Sequence, residues 1–206
     1  GLAGDVKNMD KITRQVTEAS MTPEASGQRL AAMSIITEVK GSDALGLLLE
    51  AASDPDVAVR GGALRLASGI PGSEATRKWI KRYSKVSEAA KQDILFMLGE
   101  RGDALAIPLM MKALDDPSQE ISSAAVSAIA RLQGPAAVDP LISWIMKHES
   151  EAGHRAAATA LTTILDSTGM QKIAAALPGS EGLATVTFLR LLAWSGDKSF
   201  FPVVFP

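Results

Sequence analysis

Both histidines of the chain lie in one short stretch, HESEAGH, at residues 148–154. Together with Glu149 and Glu151 they could hold a metal ion, because imidazole nitrogens and carboxylate oxygens are common ligands of divalent metals. Two metal-binding histidines on one helix usually stand four residues apart and share a face, whereas His148 and His154 are six residues apart. The stretch also crosses a predicted turn, after which acidic residues would favour the start of the next helix. We therefore expect a solvated structural turn here, with no metal and no cofactor.

A nucleophile with its base is equally hard to assemble from this sequence. The chain contains no Cys, which excludes thiolate catalysis, thiolate metal ligands and disulfides. A Ser-His-Asp set could use only His148 or His154 as its base, and no Ser lies in a nucleophile elbow. Neither a phosphate-binding loop nor a dinucleotide-binding fingerprint occurs. We expect no catalytic residue and no enzyme activity in this chain.

The strongest local signal is RKWIKRYSK at residues 77–85, where five of nine side chains are cationic. On a helix these charges fall within a sector of about 140°, and Trp79, Ile80 and Tyr83 face the other side. The predicted helix is therefore amphipathic, and its aromatic rings are candidates for the core. The candidate partner-binding residues are Arg77, Lys78, Lys81 and Arg82, with Trp144 on another helix as a candidate anchor. Burial in the core is the alternative for both Trp79 and Trp144.

An internal repeat must position these residues. Turn-like sites recur every 31 residues, at Pro23, Asp54, Lys85, Asp116 and Lys147. Small or aliphatic residues follow each site at two positions four residues apart, so that they share one face of a helix. A glycine then ends each first helix, with a positive φ, before a second helix begins. These glycines are Gly41, Gly72, Gly102, Gly134 and Gly169. One such hairpin cannot bury both of its faces, so neighbouring hairpins must stack.

Two stretches of the repeat carry a recognisable pattern, DPDVAVRGGALRLASGIPG at 54–72 and DPSQEISSAAVSAIARLQGPAAVDPLISWI at 116–145. The Asp-Pro start, the Ala-rich first helix, the Gly and the Pro-Leu of the second helix resemble the short HEAT-like repeats of bacterial proteins, including those first named for phycobilin lyases. The resemblance covers residues from about 24 to 205. It implies an all-α, right-handed α-α superhelix of the HEAT/armadillo-like solenoid class.

The period divides the chain into about six helical hairpins within a single domain, residues 1–206. The expected units are about 24–54, 55–85, 86–116, 117–147, 148–178 and 179–206. A helix at about 5–20 would belong to a preceding unit, so we expect the chain to be a segment of a longer protein.

The C-terminal residues predict a second candidate surface. Pro202 follows Gly196 by six residues, as Pro108 and Pro140 follow their own glycines, so another second helix begins there. An end repeat usually presents a polar outer face, whereas this one is apolar. The candidate docking residues are Phe200, Phe201 and Phe205. An ordinary frayed terminus is the alternative.

The charge pattern limits the class of partner. Residues 1–103 carry 14 basic and 14 acidic groups, and the whole chain has a formal net charge of −2. A nucleic-acid groove needs cations that continue over several repeats, whereas the positive face here lasts for one, so we expect no nucleic-acid partner. No apolar run reaches the roughly 20 residues of a membrane-spanning helix. The absence of Cys and of a recognisable signal peptide fits the cytoplasm and the periplasm equally.

We therefore expect a non-catalytic protein–protein interaction or scaffold module. By resemblance, its second helices would line a concave surface that binds an acidic or extended segment of a protein partner, with the four cationic residues of 77–82 as the electrostatic patch. The alternative is an accessory repeat domain of a larger enzyme. In that case the C-terminal phenylalanines would pack on a catalytic or cofactor domain.

Overall fold

A computed structural model describes residues 23–204, and all regular structure in that range is helical. The α-helices are α1 (Pro23–Lys40), α2 (Leu45–Ala51), α3 (Val57–Ser68), α4 (Ser73–Tyr83), α5 (Glu88–Arg101), α6 (Ile107–Leu114), α7 (Gln119–Gln133), α8 (Val138–Ile145), α9 (Glu151–Ile164), α10 (Ser167–Ala176), α11 (Gly182–Ser195) and α12 (Phe201–Val204). Short 3₁₀ turns at Gly41–Ala44, Ala104–Ala106, Gly134–Ala137 and Lys198–Phe200 lead directly into α2, α6, α8 and α12. A further 3₁₀ turn, Leu177–Gly179, follows α10. The predicted helix at about 5–20 and the candidate residue Phe205 lie outside the described residues.

The described residues divide into two compact units, one before and one after the boundary between Met97 and Leu98, which falls within α5. In the first unit α1 packs on α3, and α2 packs on α3 and α4. In the second unit α7, α9 and α11 pack side by side, and α10 packs on α8 and α11. Within each unit, successive odd-numbered first helices thus contact each other, and so do the even-numbered pairs α2 and α4, and α8 and α10. The predicted fold class, an all-α helical repeat solenoid, is confirmed.

The buried face of each first helix, which we call its seam, follows the predicted period. The position thirteen residues after each turn site is buried in five consecutive first helices, at Ile36, Ala67, Leu98, Ile129 and Ala160. Four of these side chains are at most 4% exposed, and Ala160 is 9% exposed. Small residues at such positions let helix backbones approach closely. Gly99 lies on this seam as well, because a Cβ there would be 3.2 Å from the Ala128 carbonyl oxygen.

Four of the five predicted helix-ending glycines have positive φ: Gly41 (54°), Gly72 (92°), Gly102 (68°) and Gly134 (55°). Gly41, Gly102 and Gly134 directly follow a first helix, whereas α3 ends at Ser68 and Gly72 is instead the N-cap residue of α4. The fifth prediction is wrong, because Gly169 lies inside α10. There the break between helices occurs at Leu165, whose backbone is extended, and Asp166 caps the next helix. The Asp166 carboxylate accepts a hydrogen bond of 2.7 Å from the Gly169 backbone N–H. An aspartate N-cap therefore makes this turn without a left-handed glycine.

Candidate protein-interaction surfaces

The cationic face of α4 is presented by a helix whose opposite face is fixed in the core of the first unit. Trp79 is fully buried and Tyr83 is 8% exposed. Arg77, Lys78 and Lys81 are exposed, as the predicted wheel requires. This separation means that the charges can contact a partner without any rearrangement of the helix.

The four cationic candidates on α4 differ in how much they are held by the protein itself. Arg82 is half-buried, and its Nη2 donates a 2.8 Å hydrogen bond to the Ser53 hydroxyl, which ties α4 to the turn after α2. Arg77 lies 3.7 Å from Glu74 in an exposed i,i+3 pair, which contributes only about 0–1 kcal/mol. Lys78 and Lys81 make no hydrogen bond or ion pair within residues 23–204. Arg77, Lys78 and Lys81 are therefore the available charges, and Arg82 is chiefly structural.

Ion pairs connect the helices within each unit. In the first unit Arg29 pairs with Asp54. Buried Arg60 donates through Nε to Asp93 at 2.9 Å and through Nη1 to the Asp54 carbonyl at 3.1 Å. In the second unit Arg131 pairs with Glu100, and Lys172 pairs with Asp139 at 2.6 Å. The cations of α4 are thus left out of this network, apart from the Arg77 contact within its own helix.

Trp144, the candidate anchor, lies in the core, which is the alternative that the sequence left open. Its side chain is buried, at 4% exposure. The indole Nε1 donates to the Leu114 carbonyl at 2.8 Å and approaches the Ser122 hydroxyl at 3.2 Å. The ring stacks on His148, with centroids 4.4 Å apart and planes 16° apart. Trp144 thus links α8 to the end of α6, and a partner could contact it only if this packing were disrupted.

The two histidines also differ from the expected solvated turn. His154 is 4% exposed in α9, and its Nε2 donates to the His148 carbonyl at 2.5 Å. Its Nδ1 lies 2.8 Å from the hydroxyl of buried Thr187, which is also 2.8 Å from the Leu183 carbonyl. The Nδ1 of His148 donates to the Trp144 carbonyl at 2.8 Å. Within the described residues no three His, Asp or Glu side chains are grouped as a metal site needs. The histidines serve as internal hydrogen-bonding groups between helices.

A groove between α9 and α11 was not predicted from the sequence. It has a volume of about 340 Å³ and is lined by residues of both helices, including Arg155, Val186 and Arg190. Buried His154 and Thr187 also line it. The two arginines stand 35 residues apart, roughly one repeat, on successive first helices. That spacing was the available signal, but isolated single charges do not stand out as RKWIKRYSK does.

The C-terminal candidates divide between exposed and half-buried positions. Phe201 is 56% exposed and Phe200 is half-buried. Trp194, near the end of α11, is 58% exposed, although the sequence did not mark it as a docking residue. Another protein can cover large apolar side chains that are exposed in this way.

Comparison with known protein families finds a match over part of the chain. The family model for HEAT repeats matches residues 76–162, a span from α4 to α9 that includes the predicted repeats around 116–145. No protein of curated function matches the sequence. In the part of the chain that the structure describes, no helix is both long and apolar enough to cross a membrane. HEAT repeats are typically non-catalytic and generally mediate protein–protein interaction or scaffolding. The family match, together with the stacked helical hairpins, supports a HEAT-like repeat family for this chain.

Proposed function

We propose that this chain is a non-catalytic protein-interaction module that binds an acidic or extended segment of a protein partner through the cationic face of α4. The observation that carries the proposal is the exposure of Arg77, Lys78 and Lys81 on a helix that fully buried Trp79 fixes in the core. Because Trp79 already holds α4 in place, partner binding does not have to order this helix, which lowers the entropic cost of binding.

The surroundings of this face also favour an acidic partner. Lys78 and Lys81 have no counterion among residues 23–204, whereas cations on other helices, such as Arg29 and Arg131, are paired with carboxylates. An acidic segment would supply the missing counterions and would be drawn in by the local field.

A photo-crosslinking experiment tests this proposal. A benzophenone amino acid replaces Lys78 in one variant and exposed Lys147 in a matched control, and both proteins are irradiated in extract of the source cells. We expect a discrete crosslinked partner from position 78 that is absent from position 147. Identical patterns from the two positions would contradict a binding site on α4.

The second candidate function is an accessory repeat domain that packs on a catalytic or cofactor domain. The exposure of Phe201 (56%) and Trp194 (58%) favours it, because such side chains are usually covered in an assembly. The same crosslinker at Phe201 would then capture a folded enzyme domain.

We also propose that the repeats are of the short bacterial type first named for phycobilin lyases. The Asp-Pro starts at 54 and 116 and the Pro near the start of α6 and α8 support this assignment.

A further inference from the structure

The groove between α9 and α11, which we call the α9–α11 groove, is separate from the α4 face and lies wholly in the second unit. Its volume of about 340 Å³ lies within the range of sites that hold a small ligand or a few side chains. The lining combines apolar and cationic groups. They are Ala158, Leu183, Val186, Arg155 and Arg190, with the hydroxyl-bearing Thr159 beside them.

Within the described range, the two arginines of the groove have no counterion. Arg155 and Arg190 are exposed and make no hydrogen bond or ion pair with any residue of 23–204. Arg131 of the same unit, by contrast, pairs with Glu100. Glu151 is the one carboxylate that lines the groove, and it forms no ion pair with Arg155 one turn away. Two arginines and one glutamate leave the groove with a net positive charge, in a chain whose formal net charge is −2.

The floor of the groove is rigid. His154 and Thr187 are both buried, and the hydrogen bond of 2.8 Å between their side chains joins α9 to α11. His154 is held again by its 2.5 Å bond to the His148 carbonyl. These bonds join the two helix backbones that carry Arg155 and Arg190. A guanidinium held on a fixed backbone recognises a carboxylate with two parallel hydrogen bonds.

We propose that the α9–α11 groove binds an acidic peptide segment of a partner protein, with carboxylates on Arg155 and Arg190 and an apolar side chain against Leu183 and Val186. Val186 is 42% exposed, so a partner side chain can bury it. This inference does not depend on the α4 face, because the residues, the helices and the unit are different.

Fluorescence anisotropy with a defined probe tests the inference. The probe is a fluorescein-labelled decapeptide of alternating Glu and Leu, and the reference peptide has Gln in place of Glu. We expect saturable binding of the Glu peptide and at least tenfold weaker binding of the Gln peptide. The variant Arg155→Gln/Arg190→Gln should lose about tenfold or more in affinity for the Glu peptide, because both charge-assisted contacts are removed; a tenfold loss corresponds to about 1.4 kcal/mol.

The matched control is Lys112→Gln/Lys147→Gln, which removes two exposed charges of the same unit outside the groove. It should bind within about twofold of the unmodified chain. Equal losses in the two variants would show nonspecific attraction and would overturn the proposal, as would the absence of saturable binding. Complete displacement of the peptide by 5 mM inorganic phosphate would also overturn it, because the groove would then be a site for small anions. Retained binding of both variants to an α4-directed partner would separate this result from the proposed function.

Discussion

His154 and Thr187 share a 2.8 Å hydrogen bond at the centre of a chain of three bonds that ends on a backbone carbonyl on each side. The Nε2–H of His154 donates to the His148 carbonyl, and the Thr187 hydroxyl lies between His154 Nδ1 and the Leu183 carbonyl. In a neutral ring, Nδ1 is an acceptor, so the single hydroxyl hydrogen has two acceptors to serve. Thr187 is thus a polar link between α9 and α11 inside an apolar core.

Replacing Thr187 should test that link. Thr187→Val keeps the shape of the side chain but leaves His154 Nδ1 buried without a donor. We expect the free energy of unfolding to fall by about 1–3 kcal/mol in urea titrations followed by circular dichroism. Thr187→Ser retains the hydroxyl and should lose less. Equal stability of the Val variant and the unmodified chain would show that this bond contributes nothing.

The two histidines should carry their ring hydrogens on opposite nitrogens. His154 Nε2 faces the His148 carbonyl, so its neutral ring is the Nε2–H tautomer. His148 Nδ1 faces the Trp144 carbonyl at 2.8 Å, so its neutral ring is the Nδ1–H tautomer. Long-range ¹⁵N–¹H NMR correlations at pH 8 distinguish the two forms directly. Two Nε2–H rings, as in free histidine, would contradict the packing around Trp144.

Alanine substitution at Gly153 tests how tightly Trp144 is packed, and the same substitution at Gly61 is the control. A Cβ on Gly153 would lie 2.5 Å from Cη2 of the Trp144 ring, whereas nothing lies within 4 Å of a Cβ on Gly61. We expect Gly153→Ala to cost about 1–3 kcal/mol through overpacking. Gly61→Ala in α3 should stabilise the protein by up to about 1 kcal/mol, since alanine favours helix. Thermal unfolding of both variants measures the difference, and a Gly153→Ala protein as stable as Gly61→Ala would show that the ring is mobile.

Acid should selectively remove the contribution of Asp56. This residue caps α3, accepting from the Ala58 backbone N–H at 2.8 Å, and it also accepts from the Ser26 hydroxyl. The Ser26 hydrogen bond, followed by that of the Val59 N–H, lowers the pKa of Asp56 below its ordinary value. A lowered pKa in the folded state means that the stabilisation is present above the unfolded pKa of about 3.9 and is lost as the pH falls through the folded value.

The variant Asp56→Asn isolates that charge, because asparagine is also a good N-cap. At pH 7 its urea midpoint should lie below that of the unmodified chain, and the two midpoints should converge below pH 3. A difference that stays constant from pH 7 to pH 3 would show that the carboxylate charge is not responsible.

The parts of this molecule that the sequence predicts well depend on short-range patterns. The buried position of the first helices and the positive φ of Gly41, Gly72, Gly102 and Gly134 follow from helical period and turn chemistry alone. Gly169 was misassigned because the turn before α10 needs no glycine. Asp166 caps the N-terminus of α10 instead, by accepting a hydrogen bond from the Gly169 backbone N–H.

The parts that it predicts poorly depend on contacts one repeat away. Trp144 has the amphipathic signature of an anchor, yet its indole finds the Leu114 carbonyl 30 residues earlier. The local pattern places His154 in a polar turn, but its side chain contacts Thr187, 33 residues later. The local sequence pattern around Trp144 or His154 contains no information about a buried hydroxyl or carbonyl on a neighbouring hairpin. The repeat period therefore does not predict that these polar side chains are buried.

Charge reversal on α4 tests most directly whether its cationic face binds a protein partner. Quantitative affinity enrichment compares the unmodified chain with Arg77→Glu/Lys81→Glu and with the control Arg65→Glu/Lys147→Glu, which reverses two exposed charges on other elements. Circular dichroism should give the same helix content for all three proteins. If this face is the binding site, the unmodified chain and the control should retain a partner that the α4 variant loses. The same partners, recovered in the same amounts by all three proteins, would contradict it.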